Sequence, residues 1–281
     1  MENVTRREPL KLQFRPLTLD DKLTKDGLEA VGTLTGKEPY YLVGGIAVQS
    51  YLPTSCRRPT SDIDLSIVRP LNYSGFRIFI KPVEEYLRDH HYKVRQRKHS
   101  RAYKLEVQDT ENPEERLLIE FSRRNEQSFE SAKRKLEREL ANSKKKILEE
   151  RRSTYVVASP EDVAVPKLVR SVNCIARNPD MKRHVPKEKK VLSEDNIRRR
   201  LDFINHLRDE VILTPSDLDS VEELRLVSDL FDVRLLSELA GFNTAYFLEA
   251  CKDWDTILKR TDNRDLVFEA TLPEHILNSD R

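Results

Sequence analysis

The sequence is poor in features that would point to a secreted, metal-finger or membrane protein. Its three cysteines, Cys56, Cys174 and Cys251, form neither a Cys-x-x-Cys pair nor a Cys/His metal pattern. An odd number of cysteines without such spacing is typical of a reduced protein, so we expect a cytoplasmic location. No apolar run approaches the length of a bilayer span, and residues 1–10 lack the apolar segment of a signal peptide. We therefore expect no membrane partner.

Net charge is almost absent as well. The 281 residues contain 50 Lys and Arg against 48 Asp and Glu, a formal charge of +2. Bulk charge therefore neither requires nor excludes a nucleic-acid partner. The basic stretch 177–195 is predicted to be an exposed loop. Together with the other basic clusters it could line a path for an RNA acceptor, although such charge runs are more often solvated surfaces.

Only seven glycines are present, and two of them are adjacent. Gly44 and Gly45 follow an apolar strand predicted at 40–43 and precede a short helix predicted at 46–52, which Pro53 ends. Glycines at this place allow backbone N–H groups to turn toward an anion, or simply form a strand–helix corner. Neither the Lys-Ser/Thr of a P-loop nor the spacing of a dinucleotide fingerprint follows, so neither of those sites is predicted.

A pair of aspartates lies on the next predicted strand, 62–68. Apolar and polar residues alternate there, so Asp62 and Asp64 leave the same face, opposite to Ile63 and Leu65. Two like charges at this separation repel unless a cation lies between them, and carboxylate oxygens suit Mg²⁺ bound together with substrate phosphates. The alternative is a solvent-facing pair that protects an edge strand from aggregation.

The order of predicted elements divides the chain into two domains. Strands and helices are mixed as far as residue 158, and from residue 159 onward the pattern is almost wholly helical. We therefore predict an α/β domain over residues 1–158 and a helical domain over residues 159–281. A single long helix is predicted over 129–152, and two helices over 216–227 and 233–239.

The glycine pair and the aspartate pair together resemble a known signature. The segments "LVGGIAV" and "RRPTSDIDLSI" look like the opening of the polymerase-beta-like nucleotidyltransferases, and more narrowly of the AbiEii-type branch, whose pattern is GGxA followed by RxTxDIDL. The matching residues are Gly44, Gly45, Ala47, Arg58, Thr60, Asp62, Ile63, Asp64 and Leu65. The resemblance implies an α+β fold, a polymerase-beta-like core with a small mixed sheet and flanking helices, followed by a helical C-terminal domain.

The resemblance also implies a site. Asp62 and Asp64 would bind Mg²⁺ or Mn²⁺, Gly44 and Gly45 would receive the phosphates of an NTP, and Arg58 and Thr60 would lie beside the nucleotide. A third carboxylate is expected on a neighbouring strand, where the family usually has Asp. This chain offers Glu120 in "RLLIEFSRR" and Glu106 in "YKLEVQ". We favour Glu120 as metal ligand or base, because its strand is more apolar.

Two further residues follow from the same resemblance. The segment "VVASPEDVAVPKLVRSVNCIAR" looks like the family segment in which SPED starts a helix carrying Lys-Leu, and it implies that Lys167 holds the triphosphate. Pro166 should kink the helix just before it. The family then has an acidic motif of the form [KR]DxxD, which "LSEDNIRRRLDFINHL" fits poorly. Asp195 is the first candidate and Asp202 the second.

The function implied is transfer of a nucleoside monophosphate from an NTP to a hydroxyl, with release of pyrophosphate. Relatives of this kind act as toxins of toxin–antitoxin pairs, and some modify the 3′ end of tRNA, so tRNA or another RNA and an antitoxin protein are the expected partners. Two alternatives remain open. One is a nucleotidyltransferase that modifies a small molecule such as an antibiotic, and the other is a non-catalytic member that binds nucleotide or RNA.

Overall fold

A computed structural model describes residues 17–37, 39–60, 62–99, 102–148, 152–189, 191–213, 217–259 and 261–280. The described chain forms two compact units. The first contains the residues from Leu17 to Ser50 and from Arg57 to Ser159, and the second contains Tyr51–Cys56 and the chain from Pro160 onward. The first is called the sheet unit and the second the helical unit. The short segment Tyr51–Cys56 includes a 3₁₀ turn at Thr54–Cys56. It interrupts the sheet unit in the sequence but belongs to the helical unit.

One seven-stranded sheet forms the centre of the sheet unit. In chain order its strands are β1 (Tyr40–Val43), β2 (Asp62–Ile67), β3 (Tyr92–Lys98), β4 (Ala102–Asp109), β5 (Arg116–Ser122), β6 (Lys144–Leu148) and β7 (Ser153–Val157). Their order across the sheet is β3-β4-β5-β2-β1-β7-β6. The pairs β2–β5 and β1–β7 are parallel and the others are antiparallel.

Five helices belong to the same unit: α1 (Lys22–Gly32), α2 (Gly44–Gln49), α3 (Tyr73–Phe79), α4 (Lys81–Asp89) and α5 (Glu126–Asn142). The helix α1 packs its buried face against the apolar side of the sheet, where a side chain on Gly27 would meet Ile63 and Leu117. Burial of that side leaves the opposite side of β2 for Asp62 and Asp64. The predicted α+β class, a mixed sheet with flanking helices, is confirmed.

The region 129–152 was predicted as one helix, and this prediction was wrong in its second half. The helix α5 ends at Asn142, and Lys144–Leu148 forms the edge strand β6, which pairs antiparallel with β7. The run of lysines and sparse apolar residues has no clear period, so pairing with a neighbouring strand decides its conformation. The strand β3 was also missed, because its alternating charges were taken for a basic cluster.

The helical unit contains α6 (Pro160–Arg177), α7 (Glu194–Leu213), α8 (Leu218–Leu239), α9 (Thr244–Lys252), α10 (Asp255–Leu258), α11 (Thr261–Thr271) and α12 (Glu274–Asp280). The two helices predicted over 216–239 are one continuous helix, α8. The basic stretch 177–195 is not simply an exposed loop, because Pro179–His184 forms a 3₁₀ turn and Met181 and Val185 are buried. Lys190, in the same stretch, lies outside the described residues.

A helix that crosses a membrane must be both long and apolar. Within the described ranges, no helix combines the length and the apolar character that a bilayer span requires.

Candidate active site

Three carboxylates lie together on the polar face of the sheet. Asp62, Asp64 and Glu120 can each offer one oxygen such that all three atoms lie within 4.8 Å of one another. The cause is the register of the sheet, because the parallel pairing of β2 with β5 sets Asp64 directly beside Glu120. Asp62 is buried, whereas Asp64 and Glu120 are half-buried. Sequence reasoning preferred Glu120 to Glu106, and the structure brings Glu120 to the aspartates.

Glu106 is engaged elsewhere on the same face. Its carboxylate lies 2.8 Å from Nη2 of Arg97 and 3.7 Å from Nη1 of Arg116. Glu106 is paired in the register with Leu118, two residues before Glu120 on β5. The carboxylate of Glu106 is therefore held by two arginines and balances part of their charge.

The glycine corner directly adjoins the carboxylates. Gly44 has a φ of +74°, and a side-chain carbon placed on it would lie 2.2 Å from Oδ2 of Asp64. A carbon on Gly45 would lie 2.8 Å from the hydroxyl oxygen of Thr60. Both positions therefore require glycine for space, and Gly44 requires it for its backbone conformation as well. The two glycines allow the backbone of the corner to approach the aspartates.

Hydrogen bonds orient Asp62 and hold the backbone just before it. The Thr60 hydroxyl donates to Oδ1 of Asp62 at 2.6 Å. Buried Gln49, the last residue of α2, accepts from the backbone of Leu19 at 2.7 Å and donates to the Arg58 carbonyl at 2.9 Å. The backbone of Arg58 is thereby tied to α2, while its half-buried guanidinium lies 3.4 Å from the Pro59 carbonyl oxygen.

Sequence reasoning missed a cation beside the cluster. Nζ of Lys104, on β4, lies 2.8 Å from Oε1 of Glu120, and the Lys104 side chain is only 8% exposed. The two residues are direct neighbours in the antiparallel register of β4 and β5. An ammonium at this place balances part of the negative charge that the three carboxylates bring together. Only the strand order across the sheet reveals this pairing, so the local sequence carried no signal for it.

A buried polar network continues the same face one step farther along β2. Ser66, which follows Asp64 on that face, stands beside Tyr41, whose hydroxyl donates to the carboxylate of Glu139 on α5. Burial raises the pKa of Tyr41, and the charge of Glu139 acts in the same direction, so the phenol stays neutral as a donor. Burial also lowers the pKa of Arg124, which donates to the Ser122 hydroxyl at 2.6 Å.

Lys167 lies in the helical unit with two carboxylate partners. Its ammonium is 3.0 Å from Oδ1 of Asp229 and 2.8 Å from Oδ2 of Asp232, and its side chain is 5% exposed. Arg170, one turn later, also contacts Asp229, at 2.7 Å. The helix α6 continues through Pro166 as far as Arg177. The described contacts of Lys167 are thus those of a buried ion-pair cluster.

The two partners of Lys167 supply a spacing that sequence reasoning overlooked. Asp229 and Asp232 stand in "SDLFD", which has the DxxD form with Ser228 in place of the basic residue. The signal was present, but the region was read as the junction between two helices. Asp195 lies in the first turn of α7, exposed and paired with Arg198 at 2.7 Å, and Asp202 is exposed on the same helix. The contacts of Asp195 are therefore those of a surface ion pair.

Comparisons with known proteins give the following results. No protein-family model matches the chain, and no curated protein matches it. Similar solved structures include an antigenic nucleotidyltransferase-like protein from Paracoccidioides brasiliensis, at 12% identity over 94% of this chain and 100% of that one, with a TM-score of 0.41. Terminal uridylyl transferase 4 from Trypanosoma brucei with bound dUTP is 11% identical over 81% of this chain and 70% of that chain, with a TM-score of 0.27. The same enzyme with bound UPU is 10% identical over 90% of each chain, with a TM-score of 0.25.

Proposed function

We propose that this protein is a divalent-metal-dependent nucleotidyltransferase that moves a nucleoside monophosphate from an NTP to a hydroxyl group. The acceptor oxygen would form a bond to the α-phosphorus, the bond to the β-phosphate oxygen would break, and pyrophosphate would leave. The observation that carries the proposal is the meeting of Asp62, Asp64 and Glu120 within 4.8 Å beside a glycine corner. The resemblance implies a third carboxylate on a neighbouring strand, and the position of Glu120 beside Asp64 supports the proposal.

The donor set fits Mg²⁺ or Mn²⁺. All three groups are carboxylates, which are the hard oxygen ligands that these ions prefer, and no thiol or imidazole belongs to the described cluster. A bound divalent ion would supply charge stabilisation for the phosphoryl oxygens. Asp62 and Asp64 would be ligands, with Asp62 oriented by the Thr60 hydroxyl. Glu120 would serve as the third ligand or as the base that accepts the proton of the acceptor hydroxyl.

The nucleotide would lie against the glycine corner. Gly44 and Gly45 let the backbone of the corner pass directly beside Asp64 and Thr60, so phosphates held by a metal at the aspartates would lie next to that backbone. Arg58 would balance their charge. For Lys167, the resemblance to the AbiEii-type enzymes supports contact with the triphosphate, whereas its two buried carboxylate partners support a stabilising role in the helical unit. The second role accounts for the contacts described here, and we propose it as the primary one. Asp195 would contribute only as an exposed acidic residue that pairs with Arg198, without a part in the transfer itself.

We further propose that the acceptor is the 3′ hydroxyl of an RNA, with tRNA as the first candidate, and that the protein acts as a toxin neutralised by an antitoxin. This part of the proposal extends the sequence resemblance of Gly44-Gly45 and Asp62-Ile63-Asp64 to the AbiEii-type enzymes. An RNA acceptor would present one reactive hydroxyl at the end of a polyanion, so positioning and charge stabilisation would provide most of the rate enhancement.

The test is a labelling experiment with Mg²⁺, each α-labelled NTP, and either total RNA or a mixture of small hydroxyl compounds. The Asp64→Asn variant removes one charge from the cluster, and Asp89→Asn, at an exposed position, is the matched control. Label that enters RNA with the unmodified protein and Asp89→Asn, but not with Asp64→Asn, supports the proposal. Label on a small molecule instead supports the antibiotic-type alternative. NTP binding without pyrophosphate release would show a non-catalytic member.

A further inference from the structure

A concave surface in the helical unit is lined by apolar residues and five cations. It has a volume of about 770 Å³ and is formed by the 3₁₀ turn Pro179–His184, the residues that follow it, and the helices α7 and α8. We call it the arginine groove. Its charged lining residues are Arg183, Lys187, Glu188, Arg199, Arg200 and Arg234. Five of these six are cations, so the groove carries a strong positive charge in a protein that is nearly neutral overall.

Within the described part of the chain, most of these cations have no acidic partner. Among the described residues, no carboxylate lies within salt-bridge distance of Arg183, Lys187, Arg199 or Arg200. Arg183 donates a hydrogen bond from its Nε to Nε2 of His184, at 2.8 Å. Arg200 instead lies over the ring of Phe203, with 5.5 Å between its guanidinium carbon and the ring centre.

Several other cations of the same unit are paired, as is the groove residue Arg234, whose Nε lies 3.6 Å from Glu238. Lys167 contacts Asp229 and Asp232, and Arg177 lies 2.8 Å from Glu222. Arg198, which neighbours the groove residue Arg199 in sequence, is paired with Asp195. Gathering like charges on one concave surface costs free energy unless an anion compensates for it. The groove therefore has the charge distribution of an anion-binding site.

Burial and charge act together on the groove's titratable groups. Burial lowers the pKa of Arg200, and it also lowers the pKa of His184, on which Arg183 and Arg200 act in the same direction. Glu223, 3.2 Å from Nδ1 of His184, acts in the opposite direction. These shifts are those expected of a positive field in a partly desolvated groove.

The floor of the groove is apolar. Leu192, Ile197, Phe203, Leu230 and Phe231 line it between the cations. Guanidinium groups match phosphate oxygens in pairs, and aromatic or apolar surface accepts the faces of nucleobases. The acidic side chains of a peptide would use the cations but would not cover the apolar floor. A nucleotide chain satisfies both parts of the surface, and the volume lies in the range of sites that hold a few such units.

We propose that the arginine groove binds single-stranded RNA through its phosphates, with Arg183, Lys187, Arg199 and Arg200 as the contacting cations and Phe203 as a surface for a base. The inference deepens the proposed function, on which it rests for the identity of RNA as the acceptor. It assigns binding of that acceptor to residues of the helical unit that carry no part of the phosphoryl-transfer chemistry.

The first experiment measures binding of a short labelled single-stranded RNA by fluorescence anisotropy at several salt concentrations. The variant Arg183→Gln/Arg199→Gln removes two exposed cations from the groove. The control Lys182→Gln/Arg198→Gln removes two exposed cations from the same segments outside the groove. We expect the groove variant to lose roughly tenfold in affinity or more. The slope of log binding constant against log salt concentration should become shallower by about 0.7 for each lost phosphate contact. The control variant should bind within about twofold of the unmodified protein.

The outcomes separate this inference from the proposed function. Asp64→Asn should bind the RNA as tightly as the unmodified protein, even if no nucleotidyl transfer is ever observed. Equal affinity of the groove variant and its control would overturn the inference. So would a groove variant that loses binding of free ATP, or of an acidic peptide, while keeping its affinity for RNA.

A second measurement needs no substitution and therefore decides the question if the variant fails to fold. Lys187 lies in the groove and Lys182 lies outside it, and both are exposed. Saturating RNA should protect Lys187 of the full chain from an amine-reactive label several-fold more than Lys182. Equal labelling of the two lysines, with and without RNA, would contradict the inference.

Discussion

Gly44 approaches Asp64 so closely that a methyl group on the glycine would lie 2.2 Å from a carboxylate oxygen of the aspartate. The contact joins the corner after β1 to β2, and Val43 of β1 and Asp64 of β2 are neighbours in the register. The spacing of the two sequence motifs therefore has a direct structural meaning. Each motif limits what side chain the other can have.

The first prediction concerns this contact. Gly44→Ala should reduce the free energy of unfolding by about 2 kcal/mol or more, from the positive φ together with the clash, and should displace Asp64. Gly36→Ala is the matched control, since Gly36 has a φ of +80° but no atom within 4 Å of the added carbon. It should lose only about 1 kcal/mol. Urea unfolding measures the free energy of unfolding of both variants. Equal losses would show that the clash at Gly44 is relieved without cost.

The second prediction concerns the cation beside the cluster. Lys104→Met leaves Glu120 without its 2.8 Å partner, and we expect a loss of about 3 kcal/mol in stability in the presence of a chelator. Magnesium should restore part of that loss, because a bound cation replaces the missing positive charge. Urea unfolding with chelator and with Mg²⁺ measures both effects.

The control for Lys104 is Arg97→Met. Arg97 is also 2.8 Å from a carboxylate, that of Glu106, but its side chain is 45% exposed. Solvent screening should limit the loss to about 1 kcal/mol, with no recovery in Mg²⁺. If both variants responded to Mg²⁺ alike, Lys104 would have no special relation to a metal site.

The third prediction concerns Lys167. Lys167→Met leaves Asp229 and Asp232 buried without their shared ammonium, so the free energy of unfolding should fall by about 3 to 5 kcal/mol. Arg177→Gln, which breaks the pair of a 65% exposed arginine with Glu222, should cost less than about 1 kcal/mol. A stable Lys167→Met protein with a raised KM for NTP would instead support contact of Lys167 with the triphosphate.

The fourth prediction is a pH dependence. Burial raises the pKa of Asp229, but Arg170 and Lys167 outweigh it and hold the pKa well below the ordinary value of 3.8. The ionised carboxylate therefore contributes stability that is complete above about pH 3.8 and is lost as the pH falls further. The stability difference between the unmodified protein and Asp229→Asn should shrink below that pH, by at most about 1.4 kcal/mol per unit. A difference that is constant from neutral pH to pH 3 would contradict this assignment.

Local patterns in the sequence predicted one half of the candidate site. The alternation of β2 placed Asp62 and Asp64 on one face, and the glycine pair marked the corner after β1. The third carboxylate could only be narrowed to Glu120 or Glu106, because the choice depends on the parallel pairing of β2 with β5. Lys104 could not be predicted at all, since its contact with Glu120 arises from the register of β4 and β5.

The two errors have different causes. The segment Lys144–Leu148 has no strong preference of its own and becomes a strand by pairing with β7. Asp229 and Asp232 were missed because α8 was divided in two, which hid a DxxD spacing within one helix. The first outcome is decided by pairing with the following strand, whereas the second spacing was readable from the local sequence once α8 is taken as one helix.

The parallel pairing of β2 with β5 has a consequence for protein synthesis. Asp64 emerges from the ribosome well before Glu120, and the hairpin of β3 and β4 must be made between them. Parallel partners that are distant in the chain pair only after the intervening loop has closed. A nascent chain that stops short of β5 therefore carries both motifs of the signature without an assembled carboxylate cluster.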